Sequence, residues 1–332
     1  MRLIQYREAD GSRKVGLVSE DGDHVCPLRG AGSVHELAQT AAERGGGLAD
    51  LAEGQASAER VDYLGLLREG RVLAPVDHPE PARFWVTGTG LTHIGSAAAR
   101  NKMHEATHGD AAPMSDSMKI FRMGIEGGKP GAGRIGVQPE WFFKGVGTCV
   151  VPPGGTLPRP GFAKAGGEEP EIVGLYLIDA KGGPWRIGYT LGNEFSDHVT
   201  EAENYLYLAH SKLRCCALGP ELLLGELPQD VRGKTRIRRN GKVLWEADFL
   251  SGEANMSHSI ANLEHHHFRY PMFRRPGDLH AHFFGAAELS YMAGIKTEPG
   301  DEFEIDVPVM GKALCNRMEA MPDEGLTSVK AL

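Results

Sequence analysis

Three glutamates and a lysine between Gly167 and Pro220 have the types and the spacing for metal-assisted chemistry. Glu169 and Glu171 lie two apart in GEEPEIVGLYLID, Glu194 follows in RIGYTLGNEFSDH, and Lys212 stands in AHSKLRCCALGP. In an extended segment, residues two apart project to the same side, so Glu169 and Glu171 can point at one spot. Two carboxylates ~4 Å apart repel by roughly 4 kcal/mol at an effective dielectric of ~20. A buried pair must therefore protonate or take up a cation. Three carboxylates favour a hard divalent ion, Mg²⁺ or Mn²⁺ with Ca²⁺ as a further candidate, over zinc or copper, which prefer His or Cys. Glu171 opens a strongly apolar run, and Glu194 ends another in which Ile187, Tyr189 and Leu191 alternate with glycines and Thr190. Both carboxylates are thus expected at the mouths of core strands, against the plainer reading of a solvated strand face.

The elements that must position these groups are mostly strands. RFWVTGTG, GTCVVPP, EIVGLYLID, WRIGYTLGN, KTRIRRNGKVLWEA and DEFEIDVPV read as extended segments, while GSAAARNKMHEATH and SHSIANLEHHHFRY carry helical patterns. Asn240-Gly241 supplies a type I′ turn for a hairpin. The 44 glycines, dispersed among short apolar runs, imply many tight turns. Residues 1–76 read as a small N-terminal unit: a hairpin from LIQYR and KVGLVSE, a helix over SVHELAQTAAERGGGLADLAE, then VDYLGLL and RVLAPV as its exit. The prolines and charges of DHPEPAR mark the passage to a larger unit, 77–332. GIEGGKPGAGRIG at 124–136 reads as a flexible loop and a candidate lid.

Composition excludes several classes of function. A chain of 332 residues, 41% hydrophobic, can bury a sizeable core. Its net charge of -8 and the absence of any long Lys or Arg run give no footprint for nucleic acid. The first fifteen residues are interspersed with charges and do not read as a signal peptide, and no run approaches the ~18 apolar residues of a membrane span. Five cysteines without CxxC spacing fit reduced thiols, so a cytoplasmic protein acting on a small molecule is expected. Other constellations read as packing. His265, His266 and His267 are consecutive and must diverge, and with His258, His280 and His282 they are expected to be structural or interfacial rather than a second metal site. Cys215-Cys216 reads as core. GTGLTHIG at 88–95 does not fit the GxGxxG dinucleotide fingerprint.

The run GYTLGNEFSDHVTEAENYLYLAHSKLRCCALGP resembles the central signature of the fumarylacetoacetate hydrolase superfamily, particularly its 2-keto-3-deoxy sugar acid dehydratase branch. QPEWFFKG at 138–145 is similar to that branch's Pro-Glu-Leu-Phe-Phe-Lys, and TGLTHIGSAAAR at 89–100 to its Gly-x-Thr-Tyr-x-x-Ser-x-x-x-Arg. EPGDEFEIDVPVMGKALCNRM at 298–318 is similar to the closing strands, so the likeness covers residues 84–318. The resemblance implies an α+β, mostly β architecture: a β-roll catalytic domain preceded by a small N-terminal α/β domain, forming a homodimer or higher homo-oligomer.

By the same resemblance Glu169, Glu171 and Glu194 match divalent-metal ligands, normally for Mg²⁺. Lys212 matches the lysine that moves the proton at substrate C3, and Glu140 the acid that assists the leaving hydroxyl. Ser96, Arg100, Lys144, Gly219 and Pro220 fall at substrate-binding positions. Three departures stand out: Glu194 replaces an Asp, His93 a Tyr, and GAAELSYM at 285–292 lacks a Thr-Gly-Thr turn. The implied activity is Mg²⁺-dependent dehydration of a 2-oxo acid, a 2-keto-3-deoxypentonate above others, giving 2-oxoglutarate semialdehyde. Two alternatives remain: hydrolysis of the C–C bond of an acylpyruvate or 2,4-diketo-3-deoxy acid, with His93 or His104 as base, and a metal-binding protein without catalysis.

Overall fold

The computed structural model of the protein describes residues 1–95 and 114–332. Strands dominate, in two sheets. The larger runs, in spatial order, through Val61–Asp62, His24–Pro27, Arg13–Val18, Arg2–Arg7, Leu222–Leu223, Pro184–Asn193, Pro170–Ile178, Leu279–Phe283, Phe84–Gly90 and Glu140–Val146. Cys216–Leu218 and Val150–Val151 attach to its side. The second sheet has the order Lys242–Ser251, Val231–Arg239, Glu302–Asp306, Leu314–Ala320, Thr156–Arg159.

Pro170–Ile178 is buried at every residue because both its faces are covered. On one side Val173, Leu175 and Leu177 pack with Val86, Phe142 and Phe283 and with Leu3, Val34 and Leu37 of the N-terminal segment. On the other, Ile172 joins Leu191, Phe195, Ile237, Phe303 and Leu314 between the sheets. Each such aliphatic or aromatic side chain contributes roughly 1.5–3 kcal/mol on full burial, so the strand is anchored along its length. This anchoring fixes where Glu169 and Glu171, at its head, can point.

Two glycines are required by close approach. A Cβ at Gly192 would lie 2.5 Å from both Phe283 Cε1 and Val173 Cγ2, and one at Gly88 would lie 2.4 Å from Phe142 Cζ. The missing side chains admit the rings of Phe142 and Phe283 between neighbouring strands.

Several local expectations change. The expected helix over 33–53 is two helices, Val34–Glu43 and Leu48–Gln55, because Gly45, Gly46 and Gly47 all take positive φ and break it. Ser33 caps the first by accepting from the Glu36 amide. The segment 124–136 is not wholly a loop. Its first residues complete the helix Asp116–Gly127, and a Cβ at Gly124 would lie 2.7 Å from His258 Nε2, so the glycine is there for packing. The hairpin forms as expected, with Asn240 and Gly241 at φ 52° and 75°. The helical pattern beginning at Gly95 lies almost wholly outside the described residues.

The histidines join helix to sheet. Helix Ile260–Phe268 places His267 against the Leu279–Phe283 strand, its Nε2 3.0 Å from His280 Nδ1 and its ring stacked 4.5 Å from that of His282. Trp141 Nε1 donates to His267 Nδ1 at 3.3 Å. His282 Nδ1 lies 2.9 Å from Thr87 Oγ1, while Nε2 of His280 and of His282 are buried without a hydrogen-bond partner among the described residues. Burial pushes the His267 imidazole down from 6.5 to about 3 and holds His280 and His282 well below their ordinary value.

In the unfolded chain these rings take protons near pH 6.5, whereas in the folded protein they stay neutral to much lower pH. Stability from this cluster is therefore full above about pH 6.5 and falls as pH drops below it. Urea unfolding measured from pH 7.5 to 4.5 is expected to show a declining free energy of unfolding through this range, with a shallower decline in His267→Phe. Equal slopes would show that the cluster does not set the acid limit.

Candidate metal centre

The carboxylate cluster is built by strand pairing. Glu171 pairs with Gly192 in the antiparallel ladder, and the Glu194 amide donates to the Glu169 carbonyl at 2.9 Å, one step beyond Asn193. Glu169 and Glu194 therefore stand opposite each other at the ends of neighbouring strands, with Glu171 two residues along on the same face. One oxygen from each of the three lies within 4.8 Å of the others. Relative exposures of 5%, 1% and 0% for Glu169, Glu171 and Glu194 exclude the solvated-face reading.

Protein cations cover part of this charge. Lys212 Nζ donates to Glu169 Oε1, to Glu194 Oε2 at 2.6 Å and to Ser196 Oγ at 3.3 Å, and sits 5.2 Å from the centre of the Phe142 ring. His198 Nε2 lies 3.1 Å from Glu169 Oε1. Lys144 Nζ donates to Glu194 Oε1. Glu171 has no such partner among the described residues: Oε2 accepts from the Gly285 amide at 2.6 Å, and Oε1 is buried with no hydrogen bond.

The three acids are graded accordingly. For Glu169, burial raises the pKa, but Lys212 and His198 outweigh it and hold the carboxyl well below its ordinary value. For Glu194, burial prevails over Lys144 and Lys212 and pushes it up to about 7. Burial, then the charges of Glu194 and Glu169, drive Glu171 well above the usual carboxylate range. An orphaned carboxylate oxygen in an all-oxygen donor set fits a hard divalent cation, and Glu169, Glu171 and Glu194 can hold one.

No protein-family model matches the chain. It is 33% identical over 114 residues to a probable 2-keto-3-deoxyxylonate dehydratase of Haloferax volcanii, covering 33% of this chain and 38% of that protein. It is 27% identical over 196 residues to a 2-dehydro-3-deoxy-D-arabinonate dehydratase of Saccharolobus solfataricus, covering 56% and 57%. The matched stretches thus span less than two thirds of either relative. Among solved structures, a 2-keto-3-deoxy-D-arabinonate dehydratase in its apo form superposes with a TM-score of 0.70 at 20% identity, over 97% of this chain and 100% of that one. The same dehydratase complexed with magnesium and 2,5-dioxopentanoate gives 0.69 at 19% identity, over 97% and 99%. A 5-carboxymethyl-2-hydroxymuconate delta-isomerase from Mycobacterium smegmatis gives 0.58 at 18%, over 97% and 100%. The chain has the fumarylacetoacetate hydrolase fold.

Within this fold the other expected residues divide. Glu140, Phe142 and Lys144 alternate along Glu140–Val146 and are all buried, so they share one strand face. Phe142 lies beneath Lys212 and Lys144 reaches Glu194, which sets Glu140 along the same line. Tyr205 Oη donates to Glu140 Oε2 at 3.1 Å. Lys144, expected at the substrate, instead directs its ammonium to Glu194 Oε1, the Phe195 carbonyl at 2.7 Å and the Lys212 carbonyl at 3.2 Å.

His93 is buried, with Nδ1 3.0 Å from Thr92 Oγ1 and Nε2 2.9 Å from Ser251 Oγ, and burial pushes it down to about 4. Gly219 donates to the Leu191 carbonyl at 3.0 Å, and Pro220 follows it through a cis peptide. Both lie down the strand from Glu194. Ser96, Arg100 and His104 fall outside the described residues.

Sequence reasoning missed the partners that orient the acids. Ser196 and His198 follow Glu194 at strand spacing in NEFSDH, a signal that was present. Gly285 and Ser290 belong to the GAAELSYM turn. The Gly285 amide bonds Glu171, while Ser290 donates from both its amide and its hydroxyl to buried Glu168 at 2.8 Å.

Replacing Glu171 by Gln separates metal binding from folding. With Mg²⁺ or Mn²⁺ at 100 times Kd, wild-type protein should gain about 2.7 kcal/mol over protein in EDTA. Glu171→Gln should lose that gain while its EDTA form is at least as stable as wild type, because a repelled buried acid has become neutral. A variant that keeps the metal-dependent shift in denaturation would remove Glu171 from the ligand set.

Proposed function

We propose that the protein is a Mg²⁺-dependent dehydratase acting on a 2-keto-3-deoxy sugar acid, a 2-keto-3-deoxypentonate above others, and releasing 2-oxoglutarate semialdehyde and water. The observation that carries this reading is the convergence of Lys212 on the carboxylate cluster, with Glu140 on the strand face that runs beneath it. The dehydratase names of the curated relatives, and a structural neighbour's complex with magnesium and 2,5-dioxopentanoate, support the same chemistry.

Glu169, Glu171 and Glu194 would hold the cation, which when bound supplies Lewis-acid stabilisation of the negative charge that develops on a 2-oxo acid losing its C3 proton. Lys212 would take that proton as the neutral amine, a form that its burial and a cation held by the three glutamates both favour. Its Nζ is fixed in position by Glu169, Glu194 and Ser196 over the Phe142 ring, so the nitrogen is aimed rather than searching. Glu140, buried and held by Tyr205, delivers a proton to the departing C4 hydroxyl. Phe142 excludes water from the space beside Lys212.

The hydrolytic alternative needs a base for water. His93 is a poor one, since both of its ring nitrogens are engaged by hydroxyls. The reading further takes the protein as a cytoplasmic homodimer or higher homo-oligomer with no nucleic-acid or membrane partner, whose catalytic unit begins at residue 77. Among the described residues no helix is long and apolar enough to cross a membrane.

Incubation with 2-keto-3-deoxy-arabinonate and 2-keto-3-deoxy-xylonate in Mg²⁺ should yield the semialdehyde, and EDTA should abolish its formation. Lys212→Ala should lower kcat by about 10²–10⁴-fold with metal binding retained. Absence of turnover for both acids by metal-loaded wild type, or full activity of Lys212→Ala, would overturn the assignment.

A further inference from the structure

Lys144 is a fully buried cation that stands behind the carboxylate cluster. Its side chain has no exposed surface, and a lysine ammonium has three N–H donors and no acceptor. All three are matched: Glu194 Oε1, the Phe195 carbonyl and the Lys212 carbonyl. No donor remains for a substrate. Those acceptors belong to Glu194, to Phe195 next to it and to Lys212. Lys144 therefore ties the end of strand Pro184–Asn193 to the end of the short helix Leu208–Lys212, from a third element, Glu140–Val146.

The division of Glu194's oxygens follows. Oε1 is directed at Lys144 from behind and Oε2 at Lys212 on the side of Glu169, while Ser196 Oγ lies 3.1 Å from each. Lys144 is the one of these partners that approaches from the side away from Glu169, so it sets the tilt of the carboxylate. We propose that Lys144 is a positioning residue that orients the Glu194 carboxylate toward Glu169 and Glu171 and sets the backbone from which Lys212 acts. The inference rests on the metal-site reading above and adds to it the group that orients the ligand. A glutamate side chain carries two methylenes, so without such a hold its carboxylate would sample several rotamers, only some of them facing Glu169 and Glu171.

Lys144→Met keeps the length and removes the donors, and titration calorimetry with Mn²⁺ reads the consequence directly. Relative to wild type, metal affinity should fall by about 10–100-fold, as for other groups that orient a ligand. kcat for the 2-oxo acid should fall with it, at saturating metal, while KM changes less, because Lys144 does not touch substrate. Affinity that is unchanged, or tighter through loss of a repelling charge, would overturn the proposal even if thermal stability drops. Should Lys144→Met fail to fold, Lys144→Ala removes every donor with a smaller side chain, and wild-type affinity in that variant would overturn it equally. Failure of wild type to bind any divalent ion would instead sink the metal reading itself. The two failures are therefore distinguishable.

Discussion

Mutual repulsion among three buried carboxylates is the constraint to which the surrounding structure answers. Oxygens of Glu169, Glu171 and Glu194 lie within 4.8 Å of one another in a place that water hardly reaches. Such an arrangement persists only if the backbone cannot relax away from it. The two strands that carry the acids meet that demand by their length and burial. Pro170–Ile178 is covered on both faces, and its pairing with Pro184–Asn193 continues past the last strand residue through the Glu194 amide. Moving any one acid would slip a ladder whose side chains fill two separate core clusters.

The cations are distributed unevenly, and the unevenness is informative. Glu169 has an ammonium and an imidazole, Glu194 has two ammoniums shared with other acceptors, and Glu171 has an amide. Burial acts on all three alike, so the differences among them come from their partners. The deficit of positive charge is therefore localised at Glu171, beside the Gly285 turn. A protein that needed these acids for stability alone would have balanced them or replaced one with an apolar residue. Leaving one carboxylate oxygen unmatched at the centre of an otherwise matched network is the pattern of a site completed by something other than protein.

Legibility in the sequence followed the distance over which each interaction acts. The acids at 169 and 171 could be read from strand alternation alone, and the apolar runs behind them located the core. Glu194 could be grouped with them as the end of a second apolar strand, but that it faces Glu169 depends on which strands pair. His198 and Ser196 were readable by the same alternation. Lys144 was not, because its partners lie 50 and 68 residues further along the chain and lysines at strand ends are ordinarily solvated. The histidines of helix Ile260–Phe268 carried composition that suggested metal, and only the stacking with His282 and the bond to His280 separates packing from ligation. Where local chemistry was decisive, as at Asn240-Gly241, the turn could be located, whereas the break at Gly45 to Gly47 falls inside a periodic run whose pattern reads as helix throughout.

The N-terminal strands enter this network by a route that the position of the site would not suggest. Arg2–Arg7 pairs with Leu222–Leu223, and Leu223 pairs in turn with Tyr189 of the strand that ends at Glu194. At the junction, buried Glu221 accepts from Tyr63 Oη at 3.1 Å and the Lys312 amide at 2.8 Å, and forms an ion pair with Arg2 at 3.0 Å. A single carboxylate thus joins the first strand, the helix Tyr63–Arg68 and the loop before the last strand. Thr190 Oγ1 donates to the Glu221 carbonyl at 2.8 Å, so the same residue grips the strand of Glu194 from its backbone. Buried acids are costly unless satisfied, and one placed here turns that cost into registration between distant segments. The N-terminal residues, far from the carboxylates, are thereby part of what holds Glu194 opposite Glu169.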